Sequence, residues 1–419
     1  MKNNIVDVYK KFGDKFCICP FLGGFYQSHR VVDKNQSQAI STITPCSVTS
    51  WTHDHEFDMV DNSIEKTINK PVWQMMRRAF AKGEYQSIPQ CKTCHDAERA
   101  GAHVPRHGAN LHFSTNCHEA DLLAEIQAVI DNDFYTNKLL SLDWFPSNYC
   151  NFSCVMCAGG ASSTRLTYEM SIHQIRQHIV QNELAHDFHR IVDGVEVLNF
   201  TGGETVMQTQ VVDAIKQMAQ QPNAGNKTIF LLTNASTYPD ALMPAFAKFH
   251  KVIYMCSIDG VGAVGEYQRR NSDWIKVESN SLRLLKHEFI ATVTNFVLTS
   301  INVLDFMTYV DWLYQNQIVN GVTISQVFRQ EHLGMTALPP DLRELALARL
   351  NQGLIKYSTA DNMPGQRCRE IISKAKSIIE TSEFSAVDHD KFVAQIKQED
   401  KASARPFVEI VPEWQPYFA

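Results

Sequence analysis

From about Leu139 the chain alternates short apolar, β-branched runs with amphipathic stretches. The runs are LLSLDWF, VEVLNFTG, KTIFLLTN, KVIYMCSIDG, ATVTNFVLT and GVTISQVF; TQVVDAIKQMAQQ, DALMPAFAKFH and DWIKVESNSLRLLKHEF between them carry apolar residues at helical spacing. Strands separated by helices predict parallel βαβ units, because a parallel neighbour needs a crossover long enough to hold a helix. Six such runs fit a partial (β/α) barrel or a doubly wound sheet, and in either the site lies at the C-terminal ends of the strands. From about Leu338 the pattern is helical (DLRELALARLNQGL, CREIISKAKSIIE, DHDKFVAQIKQE) and closes with RPFVEIVPEW. The stretch from Lys15 to about Asn116 has short apolar pieces among Ser, Thr, Asn and His, and reads as a small domain poor in regular structure. The expected organisation is therefore 1–138, 139–335 and 336–419.

Composition narrows the function classes. A chain of 419 residues with 44% apolar and 20% charged residues is globular, with room for two or three domains. Lys+Arg 39 against Asp+Glu 45 gives a net charge of −6, which disfavours a general nucleic-acid binder. Thr228–Thr233 and Phe289–Val297 are too short and too interrupted to span a bilayer. MKNNIVDVYKKFGDKF carries charges where a signal peptide needs apolar residues, so a cytoplasmic location is expected. In a reducing compartment 11 cysteines point to metal binding or catalysis rather than disulfides.

Three of them form a knot. Cys150, Cys154 and Cys157 give C-x3-C-x2-C on the loop leaving the first predicted barrel strand. Three thiolates so close can hold three irons of a [4Fe–4S] cluster and leave the fourth open, whereas a structural zinc site needs a fourth ligand and usually two C-x2-C knuckles. This arrangement resembles the radical S-adenosylmethionine (SAM) superfamily. The resemblance implies an α/β fold: a partial (β/α)6 TIM-like barrel with a small irregular N-terminal iron-sulfur domain and a helical C-terminal tail. It also implies that the open iron chelates SAM and that an electron cleaves SAM to a 5′-deoxyadenosyl radical. Thr201-Gly202-Gly203-Glu204 ends the second strand where the family has its GGE motif, implying that Gly202, Gly203 and Glu204 bind the SAM amino group. Glycines permit close backbone approach and a carboxylate pairs an ammonium. Ser257 and Asp259, on one face by strand parity, resemble the ribose-binding motif, while Cys256 faces the helices as a core residue. Arg269 resembles the arginine that pairs the SAM carboxylate, Asn234 matches a position near SAM with Ala235 where the family has Gly, and Met156 sits where a side chain packs on adenine.

Cys91-Lys-Thr-Cys94 taken alone is compatible with half a zinc knuckle, a redox pair or part of an iron-sulfur site. Its context, Trp73 to Gly83 and Pro89 to Gly101, resembles the auxiliary-cluster twitch (SPASM-like) module, here placed N-terminal to the barrel. The resemblance implies a second [4Fe–4S] cluster on Cys17, Cys46, Cys91 and Cys94, with Cys19 as an alternative to Cys17. Cys117 and Cys368 are expected to be buried thiols. The function implied is hydrogen abstraction from a small metabolite or peptide, with a reductant such as flavodoxin or ferredoxin. The alternatives are a zinc-stabilised α/β binding or scaffold protein and a radical SAM enzyme acting on nucleic acid.

Overall fold

The computed structural model describes residues 5–33, 41–47, 55–99, 105–117, 120–173, 177–181, 183–327, 330–360 and 362–418. Two compact units divide the chain: Met1–Tyr149 with Glu169–Leu231 and Asp240–Val252, and Cys150–Tyr168 with Leu232–Pro239 and Ile253–Ala419.

The first unit carries β1 (Gly23–Gln27), β2 (His29–Asp33), β3 (Thr42–Thr44), β4 (Ser141–Phe145), β5 (Gln177–Gln181), β6 (Val197–Phe200) and β7 (Thr228–Thr233). Its main strands run in the order β7-β6-β4-β1-β3, with β2 and β5 forming a separate antiparallel pair. Only β3, at the edge, is antiparallel to its neighbour among these main strands. β4, β6 and β7 are the first three predicted runs, each apolar because parallel strands are covered on both faces. The N-terminal segment is more regular than its weak periodicity suggests: β1 lies parallel to β4, Gly23 opposite Ser141 and Phe25 opposite Asp143. Gly-Gly-Phe-Tyr-Gln has no alternating signal, and its pairing comes from a partner more than 100 residues away. Trp144 packs at a tilt against Phe188 and Phe200, with ring centroids 4.6 and 5.8 Å apart. Buried Arg77, in the helix Pro71–Ala81, ties three segments together by donating to the Pro20 carbonyl at 2.7 Å, the Phe134 carbonyl at 2.8 Å and Asn69 Oδ1 at 3.2 Å.

The second unit carries β8 (Lys251–Ser257), β9 (Ile290–Leu298) and β10 (Val322–Gln326) in the order β10-β9-β8, with β9 and β10 parallel. All six predicted runs are strands, and the predicted C-terminal helices appear as Pro340–Ser358, Met363–Glu380 and Ala386–Asp400. DALMPAFAKFH is the weakest match, with a 3-10 turn and the short helix Met243–Phe246, because Pro244 lacks the donor that a longer helix needs. RPFVEIVPEW turns back so that Phe407 and Trp414 pack on Phe392, and Phe407 also meets Tyr267. No described helix is long and apolar enough to cross a membrane.

Charge fixes the tail further. Glu399 is 1% exposed and meets Arg165 Nη2 at 2.8 Å and the Arg270 guanidinium, while both guanidiniums lie over the Tyr168 ring. Removing one member of a buried ion set leaves uncompensated charge, so Glu399→Ala is expected to cost about 3–5 kcal/mol in urea unfolding of the full chain, and Glu399→Gln less. A loss under about 1 kcal/mol for Glu399→Ala would show that the tail is held by its aromatic contacts alone.

Candidate active site

In the second unit the cysteine loop hangs on the backbone after β8. Ser153 N donates to the Arg270 carbonyl at 3.0 Å and Val155 N to the Gln268 carbonyl at 2.9 Å. Ser163 and Thr164 brace the other side: Cys150 N donates to Ser163 Oγ at 3.1 Å, and Thr164 Oγ1 to the Cys150 carbonyl at 2.5 Å. Cys150 and Cys154 are buried and Cys157 is half-buried. Burial pushes the Cys154 thiol up to about 12, against the pull of Arg269, and raises Cys157 as well. Thiols so resistant to ionisation become thiolates when a bound cation takes the place of the proton.

The predicted partners of this unit collect around the loop. Arg269 Nη1 lies 3.9 Å from Cys154 Sγ, and Nη2 lies 2.6 Å from Asp259 Oδ2. Asp259 is fully buried, its other oxygen accepts from Val297 N at 2.7 Å, and its carbonyl accepts from Asn302 at 2.9 Å. Oδ1 is thus hydrogen-bonded to the backbone, while Oδ2 meets Arg269 as an ion pair. Burial raises the Asp259 carboxyl, while the carboxylate and the nearby sulfurs keep Arg269 a cation, raised further despite its own burial. Arg269 Nε is buried without a hydrogen-bond partner among the described residues. Asn234 Nδ2 lies 4.0 Å from Cys150 Sγ and 2.8 Å from Asn151 Oδ1. Ala235 has φ +57°, a left-handed conformation that explains why glycine suits that position. Ser257 ends β8, buried, Cys256 is fully buried core, and Met156 is half-buried beside Cys157.

In the first unit β6 ends at Gly202-Gly203-Glu204. Gly202 has φ +83° and Gly203 φ +54°. A Cβ on Gly202 would fall 1.3 Å from the Phe145 ring, and one on Gly203 2.1 Å from the Tyr149 carbonyl oxygen. Glu204, fully buried, donates its backbone N–H to that oxygen at 2.8 Å, so the glycines are required for the turn itself.

The first unit also gathers the N-terminal thiols. Cys17, Cys19, Cys46, Cys91 and Cys94 line one cavity of about 330 Å³, together with Arg106, His112, Asp143 and Asn199. Five cysteines separated by up to 77 positions thus share one space, the two alternatives Cys17 and Cys19 included. Cys17 is lowered by its hydrogen bond with Cys19, which is raised in turn; burial raises Cys91 and pushes Cys94 up to about 11. Arg106 is held by the Asp14 carbonyl at 2.7 Å and Glu98 at 2.6 Å. Cys117 and Cys368 are fully buried and do not line this cavity. Among the described residues no three His, Cys, Asp or Glu side chains stand close enough together to hold a single metal ion.

Sequence reasoning missed Asp143, Asn199, His112 and the Arg165–Glu399–Arg270 set. Asp143 had a signal: Ser141 and Asp143 alternate with apolar residues along LLSLDWF, placing polar groups on one face of a strand covered on both sides. His112 and Glu399 had none, since each lies in an ordinary polar helical stretch.

Residues 144–313 match the family model described as the radical SAM superfamily. The matched segment runs from β4 into the helix Phe306–Gln315. No curated protein matches the chain. Among solved structures it is similar to native anSMEcpe with bound AdoMet and Cp18Cys peptide, at 14% identity and TM-score 0.39 over 53% of this chain and 62% of that one. It is also similar to Streptococcus suis SuiB, at 14% identity and TM-score 0.39 over 78% of this chain and 71% of that one. SuiB bound to S-adenosylmethionine matches at 12% identity and TM-score 0.36 over 67% of this chain and 61% of that one. The chain spans less than two thirds of the length of the anSMEcpe protein, and likenesses this distant carry no argument about substrate.

The glycine turn generates a direct expectation. Gly203→Ala adds both overpacking and left-handed strain, so urea unfolding should show a loss of about 2–4 kcal/mol. An unchanged midpoint would mean that the turn has room the geometry does not show.

Proposed function

We propose that this chain is a radical SAM enzyme that abstracts hydrogen from a small metabolite or peptide, with a second [4Fe–4S] cluster assisting oxidation or substrate binding. The carrying observation is the convergence, inside the matched domain, of Cys150, Cys154 and Cys157 with Asn234 and the buried Arg269. The donor set fits a cluster and its anionic ligand: three thiols on one braced loop, and a guanidinium whose buried Nε lacks a partner among the described residues. When bound, the cluster and SAM supply reductive formation of a 5′-deoxyadenosyl radical.

The protein's part is positioning. Cys150, Cys154 and Cys157 ligate iron as thiolates. Arg269, oriented by Asp259, presents positive charge to the SAM carboxylate, and Glu204 pairs the SAM ammonium where Gly202 and Gly203 let the backbone come close. Ser257 and Asp259 are assigned to the ribose, Met156 to the adenine and Asn234 to a position near SAM. Cys17, Cys46, Cys91 and Cys94 are assigned to the second cluster, supported by their sharing one cavity, with Cys19 as the spare thiol. In this reading 1–138 is the twitch-like module with its linker, 139–335 the partial barrel and 336–419 the helical tail. The enzyme works in the cytoplasm and takes electrons from a flavodoxin- or ferredoxin-type reductant.

Replacing Cys150, Cys154 and Cys157 with Ala is expected to abolish dithionite-dependent 5′-deoxyadenosine formation by anaerobically purified protein. Retained SAM cleavage, or a colourless wild type with stoichiometric zinc, would overturn the reading. Replacing Cys91 and Cys94 should roughly halve the iron content while SAM cleavage stays detectable. Loss of all SAM cleavage in a folded variant would contradict separate roles for the two cysteine sets.

A further inference from the structure

The first unit's cavity has a polar floor that the iron chemistry does not use. Asp143 on β4 and Asn199 on β6 are direct partners across the parallel pair, and both line the cavity. Asn199 donates its amide nitrogen to Asp143 Oδ1. Its own Oδ1 is buried without a hydrogen-bond partner among the described residues, although the residue is only 9% exposed. Beside them His112 Nε2 lies 3.4 Å from Ser141 Oγ. Asn116 donates to the His112 carbonyl at 3.2 Å and lies 3.2 Å from Nδ1, while Asn199 Nδ2 lies 3.5 Å from Nε2. Burial holds His112 down at about 4, so the imidazole is neutral.

No cation among the described residues answers this carboxylate. Arg106, in the same cavity, is engaged by Glu98 and the Asp14 carbonyl, and His95 by the Tyr85 carbonyl at 2.6 Å. The floor therefore offers a carboxylate, an unmatched amide oxygen and a serine hydroxyl oxygen. A carboxylate with one neutral donor beside an amide oxygen with none calls for a donor with several hydrogens, and the carboxylate favours one that carries positive charge.

We propose that Asp143 and Asn199 form a subsite for a protonated primary amine of the substrate. The proposal rests on the reading of this chain as an enzyme of small or peptide substrates and names the group such a substrate presents. A free alkylammonium and a lysine-like side chain share that chemistry. The amine shares a cavity of about 330 Å³ with the second cluster proposed on the same lining, so the space beside Asp143 and Asn199 suits the end of a side chain or a small ligand rather than a folded partner.

Ligand-observed NMR titration of the anaerobically purified full-length protein tests it with n-butylammonium, Gly-Lys-Gly and isosteric n-butanol. At least one of the two amines should bind about tenfold or more tighter than n-butanol, and Asp143→Asn should remove that preference. Asn199→Ala should weaken amine binding about two- to tenfold. Binding of Gly-Lys-Gly without n-butylammonium would locate the amine on a peptide; the converse would locate it on a small metabolite. Equal binding of n-butanol, or wild-type amine affinity in Asp143→Asn, would overturn the subsite. Should Asp143→Asn fail to fold by urea titration, the wild-type preference and Asn199→Ala decide. Protein that forms 5′-deoxyadenosine yet shows no amine preference sinks the subsite and leaves the radical SAM reading standing. Amine preference without SAM cleavage does the reverse.

Discussion

A guanidinium buried against a carboxylate organises the second unit. Arg269 and Asp259 stand 2.6 Å apart, both sequestered, and neither could remain charged there alone. Asp259 is fixed by the Val297 amide, so β9 sets the place of the pair. The backbone on either side of Arg269 receives the amides of Ser153 and Val155, so the pair also sets the place of the cysteine loop. The same few residues thus hold the thiols and hold the charge beside them. An error at Asp259 would propagate to Cys154 through Arg269 rather than through any direct contact.

The C-terminal tail extends that logic. Glu399, at the end of the helix Ala386–Asp400, neutralises Arg165 and Arg270, and Arg270 supplies the carbonyl that receives Ser153. The tail therefore braces the segment on which the loop hangs. Its aromatic contacts supply most of the binding, since each large ring buried is worth about 1.5–3 kcal/mol, while the ion set supplies register.

Much of this was legible in the sequence because it is local. The six strands follow from apolar runs, and Gly202 and Gly203 announce a special backbone by their neighbours alone. What was not legible is what depends on distant pairing. β1 gains its register only from β4, so a stretch with no periodicity became part of the sheet. Five thiols from Cys17 to Cys94 share a cavity because the intervening helices bring them there, which spacing alone does not encode. The contact between Asp259 and the Val297 amide likewise depends on a residue nearly 40 positions on.

Three carboxylates of this chain have arginine partners that Asp143 lacks among the described residues. Asp259 has Arg269, Glu399 has Arg165 and Arg270, and Glu98 has Arg106 and Lys15. Asp143 has only the Asn199 amide among the described residues, and burial pushes its carboxyl up to about 6. Asp143 thus lines the cavity with no arginine or lysine partner among the described residues, which leaves a place for a cation from outside the chain. That the floor keeps an acid and an unmatched amide oxygen side by side is therefore better explained by a ligand's needs than by the fold's.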